Sequence, residues 1–98
     1  MKGIRNPSTD RLFEAILTLK NLDECYNFFE DACTIREIEE ISQRFEVAEL
    51  LEKGGKSYAE IRDMTGASTA TITRINRCLK FGNDGYALAL ERLKEEEK

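Results

Sequence analysis

Residues 57–80 run SYAEIRDMTGASTATITRINRCLK, from Ser57 to Lys80. Ser57-Tyr58-Ala59-Glu60 has the form of a capping box, in which a serine and a glutamate three residues on satisfy each other's free backbone donors. The box opens a short helix through Ile61 and Met64, which Gly66 ends. Ser68 is the next N-cap. From Thr69 to Leu79 the apolar residues Ile72, Ile75 and Leu79 recur on one side of a second helix. A short helix, a glycine turn and a second helix form the pattern of a DNA-binding helix-turn-helix. Ile61, Ile72 and Ile75 fit the core of such a motif. Arg62, where small residues are common, and Thr65, where an apolar one is usual, do not. Helix pairs joined by a glycine turn also occur in proteins that never touch nucleic acid, so the pattern alone leaves both readings open.

Helical spacing continues on both sides of this stretch. Leu12, Ile16 and Leu19 share one helix face, widened by Phe13 and Leu17. Asn21-Leu22-Asp23-Glu24 reads as another capping box, opening a helix that carries Cys25, Tyr26, Phe28, Phe29 and Ala32. Thr34-Ile35-Arg36-Glu37 opens the longest helix, of about five turns at 3.6 residues each. In it Ile38, Ile41, Phe45 and Ala48 keep one stripe inward, extended by Val47, Leu50 and Leu51. It stops at Gly54-Gly55. After the break Gly82-Asn83-Asp84-Gly85, a last helix carries Tyr86, Leu90 and Leu93 and frays into residues 94–98. No strand-like alternation is long enough to count. The expectation is an all-α chain of about six helices, a single domain over residues 1–98.

Composition narrows the function classes. Of 98 residues, 41% are hydrophobic and 35% charged, which fits a globular domain rather than a solvated tail. A chain this short buries about 60–65% of the surface its unfolded form exposes, so self-association would add useful burial. No apolar run approaches the ~18 residues of a membrane span. The start, MKGIRNPSTD, lacks the apolar segment of a signal peptide, so a cytoplasmic protein is expected. Cys25, Cys33 and Cys78 are odd in number and form no Cys-x-x-Cys pair, and read as reduced, small apolar residues. There is no histidine, which removes the commonest general base and leaves no metal site expected. Phosphate loops and nucleophile elbows are missing. Nothing points to an enzyme, a cofactor or a membrane partner.

The net charge of −4 hides an uneven distribution. Residues 1–52 hold six basic and twelve acidic side chains, and residues 81–98 three basic and five acidic. Residues 53–80 instead hold Lys53, Lys56, Arg62, Arg74, Arg77 and Lys80 against Glu60 and Asp63, a net of +4. This basic window attracts phosphate by Coulomb force and counterion release. The acidic flanks would repel a duplex and favour one orientation.

The segment from Thr34 to Lys80 resembles the Trp repressor family, and within it the YerC/YecD-type branch. The resemblance is carried by Thr34 and Arg44 in the long helix, Glu49-Leu50-Leu51, Gly54, Ser57, Glu60, Gly66-Ala67, and above all Ala70-Thr71-Ile72-Thr73-Arg74 followed by Leu79-Lys80. It covers about half the chain without a gap. It implies an intertwined homodimer of six helices per chain, with Phe13, Leu17, Phe28, Phe29, Ile38, Ile41 and Phe45 in a shared core; a plain core within one chain is the alternative for each. It also implies a transcriptional repressor that reads a palindromic operator in double-stranded DNA. Residues 57–65 would be the first helix of the reading motif and 68–80 the recognition helix. Thr69, Ala70 and Thr73 would face the major groove, with Arg62 reaching across from the first helix. Small side chains allow close approach, a methyl packs on thymine, and a hydroxyl bonds to base edges. Ser57, Tyr58, Ser68, Lys53 and Lys56 would contact phosphate. The bland reading of Thr69 and Thr73 is ordinary exposed helix positions.

The family's ligand pocket is only partly matched. In the family, free tryptophan lies between the long helix and the recognition helix. Thr34, Arg44 and Arg74 match polar elements of that pocket. The glycine that follows the family's arginine is replaced by Ile75, and the serine three positions later by Cys78. Isoleucine adds four side-chain carbons where the indole ring would lie, and overpacking of that kind costs ~1–3 kcal/mol. Ile75 is therefore expected to act as a built-in plug, or to turn toward the core with the same consequence: DNA binding without tryptophan, or a response to another small molecule near Arg44 and Arg74. For the arginines, ion pairing is the alternative, for instance Arg44 with Glu40 one turn earlier. The rival to a regulator is a dimeric protein-interaction module that kept the fold and lost DNA binding, a reading the acidic bulk favours.

Overall fold

The computed structural model describes residues 3–97 and contains six helices. They are α1 (Pro7–Ile16), α2 (Leu22–Ala32), α3 (Ile35–Lys53), α4 (Tyr58–Thr65), α5 (Thr69–Phe81) and α6 (Gly85–Glu96), and no strand occurs among the described residues. The chain divides into two compact units, Met1–Ile38 and Glu39–Lys98.

In the first unit, Asn6 caps α1 by accepting from the Thr9 N–H at 2.8 Å, with Pro7 at the first turn, where its missing donor costs nothing. The helix ends at Ile16, three residues short of Leu19. The Thr18 and Leu19 N–H groups donate to Ala15 O and Ile16 O at 3.0 and 3.1 Å. Such i→i+3 closure preserves the spacing of the apolar residues while ending the helix. At α2 the expected capping box is half formed. Asn21 Oδ1 accepts from Glu24 N–H at 2.9 Å, but the Glu24 carboxylate accepts from Lys20 N–H, one residue earlier than the box requires. Phe28 and Phe29 meet edge to face, with ring centroids 5.3 Å apart. No residue of α1 or α2 is fully buried.

The second unit has a core. Val47 and Ala48 of α3, Ile61 of α4, Ala67 of the turn, and Ile72 and Ile75 of α5 form one buried cluster. Leu50, Leu51, Tyr58, Leu79 and Tyr86 pack around it. The centre of the α3 stripe thus lies at Val47-Ala48, nearer the C-terminus than the sequence suggests, and Ile41 remains 54% exposed. None of the seven residues expected in a shared core, from Phe13 to Phe45, is fully buried within the single chain. Phe45 is half-buried against Tyr86, with ring centroids 6.2 Å apart. Leu90 anchors α6, which stays helical to Glu96 rather than fraying at Lys94.

Candidate nucleic-acid interface

The α4–α5 pair is built from its caps inward. Ser57 Oγ accepts from Glu60 N–H at 3.1 Å, and the Glu60 carboxylate accepts from Ser57 N–H at 2.8 Å, so the capping box is complete. The Ser57 backbone N–H, then the Ser57 side chain, and finally the nearby Lys56 charge hold the Glu60 carboxyl below its ordinary value of 4.5, against a small opposing effect of desolvation. Gly66 closes α4 with φ 79°, a left-handed conformation that disfavours any side chain. Ser68 caps α5 by accepting from Thr71 N–H at 3.1 Å, and its hydroxyl also donates to Thr71 Oγ1 at 3.0 Å.

These caps give α5 two contrasting faces. Ile72 and Ile75 are buried, and Thr69, Ala70 and Thr73, centred about 140° around the helix from them at about 100° per residue, are exposed. Spacings of three and four put the exposed trio on one face. The first turn of α5 carries no acidic residue, so the positive end of its dipole is left uncompensated, whereas α2 and α4 carry carboxylates there. Arg62 on α4 is about half exposed and 3.7 Å from Asp63, a contact weak enough to be exchanged for a phosphate or a base. Lys53, Lys56, Ser57, Ser68, Arg74, Arg77 and Lys80 are exposed as well. Tyr58 is half-buried, its ring packed on the core, so it offers less surface than the sequence suggests.

Thr65, one of the two residues that fit the motif poorly in sequence, is fully engaged. Its hydroxyl donates to Ile61 O at 2.8 Å and accepts from Ala67 N–H at 3.1 Å, while its carbonyl accepts from Gln43 Nε2 at 3.1 Å. Gln43 was not a candidate on sequence grounds. It lies 22 residues from Thr65, and no local pattern links the two.

Of the residues matching the family's ligand pocket, Thr34 and Arg44 have other partners and Arg74 is exposed. Thr34 caps α3, accepting from Glu37 N–H at 3.1 Å. Arg44 pairs with Glu40 at 3.8 Å, the one-turn pairing named as the alternative. Ile75 is 3% exposed and belongs to the buried cluster that joins α3, α4 and α5. Cys78 is exposed and lines a shallow cleft of about 360 Å³ with Gly82, Asn83, Gly85 and Tyr86, a lining that includes neither Arg44 nor Arg74. Among the described residues no cluster of three metal-ligating side chains occurs, and no helix is long and apolar enough to cross a membrane.

Known proteins match this arrangement along almost its whole length. The family model for the Trp repressor protein matches residues 8–94. The uncharacterized protein YerC of Bacillus subtilis (strain 168) is 54% identical over 94 residues, which is 96% of this chain and 89% of that protein. A crystal structure of a TrpR-like protein from Eubacterium eligens ATCC 27750 superposes with a TM-score of 0.90 at 53% identity, covering 96% of both chains. A Trp repressor candidate from Staphylococcus aureus gives 0.88 at 49% identity, covering 96% of this chain and 95% of that one. With the helix order, the α4–α5 geometry and these relatives in agreement, the chain belongs to the Trp repressor family.

Proposed function

We propose that the protein is a sequence-specific transcriptional regulator, acting in the cytoplasm as a homodimer that binds an operator duplex through residues 57–80 of a single domain. Repression is the expected mode. The observation that carries this reading is the exposed trio Thr69, Ala70 and Thr73 at an N-terminus free of acidic residues, opposite the buried Ile72 and Ile75. Thr69, Ala70 and Thr73 read base edges, Arg62 reads a guanine or holds a phosphate, and Lys53, Lys56, Ser57, Ser68 and Tyr58 contact phosphate. The large apolar side chains exposed on the single chain, among them Phe13, Leu17, Ile35 and Ile41, support a second copy as their cover.

Binding requires no tryptophan. Ile75 occupies core space between α3 and α5, Arg44 is paired with Glu40, and Cys78 supplies no hydroxyl. Fluorescence polarisation on duplexes selected from genomic fragments tests the function. Binding that weakens steeply with salt supports it. Absence of binding at low salt overturns it and leaves a dimeric interaction module. Calorimetry with tryptophan tests the second part, and micromolar binding would refute it.

A further inference from the structure

We propose that Gln43 is a positioning residue for DNA reading: its side-chain amide ties the α4–α5 turn to α3 and holds the recognition helix in place without a bound small molecule. The inference rests on the DNA-reading function proposed above and assigns the device that presets its geometry. Thr65 is the last residue of α4, and a carbonyl at a helix C-terminus has no donor within its own helix. Gln43 Nε2 supplies that donor at 3.1 Å. The same turn is closed from within by Gly66 N–H donating to Arg62 O at 2.8 Å and by the two bonds of the Thr65 hydroxyl. Gln43 therefore joins α3 to a turn that is already rigid, so its hold extends to α5. The amide also lies 3.7 Å from the position a Cβ at Gly66 would take, so it packs on the turn as well as bonding to it.

The reading face depends on this turn. Ala67 is fully buried, Ser68 caps α5, and Thr69 and Ala70 follow directly. A turn that drifts from α3 carries Thr69, Ala70 and Thr73 with it. Fixing that turn in the free protein removes an ordering cost that would otherwise fall on DNA binding.

The test compares the full-length chain with Gln43→Met, which keeps the side-chain length and removes the donor, and with Gln43→Glu, which keeps the shape and cannot donate when ionised. Amide hydrogen exchange of the free proteins is read residue by residue. Protection at residues 66–72 should fall about 3- to 10-fold, the population shift that one hydrogen bond is worth. Protection around Leu90 in α6 should not change. Affinity for a duplex selected by the wild-type protein should weaken by a similar factor. Uniform loss of protection throughout the unit would assign Gln43 a general stabilising role and overturn the inference. So would unchanged exchange at residues 66–72, or altered exchange there with unchanged affinity for a duplex the wild type binds. If the wild type selects no duplex, the DNA-reading function falls instead, and the exchange comparison still decides whether Gln43 holds the turn.

Discussion

Thr69, Ala70 and Thr73 are small side chains at the exposed start of α5, the size that the proposed groove contact requires. Ala70→Glu places a charge on that face without touching the core. Folding stability should stay within about 0.5 kcal/mol, as for surface substitutions generally, while duplex affinity falls by more than about tenfold. Circular dichroism melting and polarisation, run on the same preparation, separate the two effects. Arg62→Ala should weaken binding by ~1–3 kcal/mol where the guanidinium makes a paired base contact, and relax the preference at that base. Ile75 behaves differently. Because it is buried among Val47, Ala48, Ile61, Ala67 and Ile72, Ile75→Gly should destabilise the fold by several kcal/mol. About 2–5 comes from truncation and about 1 from glycine in a helix. A urea titration showing less than about 1 kcal/mol of loss would mean that Ile75 is not a core residue.

Among the helices, α4 is the shortest and the most dependent on its caps. Ser57→Ala removes the acceptor for the Glu60 N–H and should cost about 1 kcal/mol, read as a shift in the urea midpoint at constant slope. The other half of the box is sensitive to pH. The Glu60 carboxyl is held below its ordinary value in the folded protein, so its contribution is fully present above about pH 4.5 and is lost as pH falls through the lower folded value. Wild type should therefore exceed Glu60→Gln in stability at about pH 6, and the gap should narrow at about pH 3. A gap that widens on acidification would contradict the assigned sign.

For the molecule as a whole, association and charge set the predictions. In the proposed homodimer the two reading heads would lie about one helical turn, ~34–36 Å, apart, so a functional site should be a palindrome whose half-sites share that spacing. Inserting about five base pairs between half-sites rotates them to opposite sides of the duplex and should abolish tight binding. Sedimentation at micromolar concentration should show the dimer. The logarithm of affinity should fall linearly with the logarithm of salt, and Lys53→Ala or Lys56→Ala should each lower the slope by about 1 for every phosphate contact removed.

Local rules make most of the helices legible in the sequence. The caps at Ser57, Ser68 and Thr34 and the stops at Gly54 and Gly66 depend on residues within four positions of one another, and short-range hydrogen bonding settles them. The outward face of α5 followed as well, because a helix that buries Ile72 and Ile75 must expose Thr69 and Thr73. The early end of α1, the displaced partner of Glu24 and the persistence of α6 to Glu96 were less legible, since alternative local hydrogen bonds are close in energy there. Two features required the folded chain. Periodicity gives Ile75 a face but not a neighbour, so only packing could place it among Val47, Ala48 and Ile61. Thr65 looked misplaced until the chain brought Gln43 to its carbonyl and Ala67 to its hydroxyl, because a polar group inside a fold is acceptable or costly according to partners that sequence distance conceals.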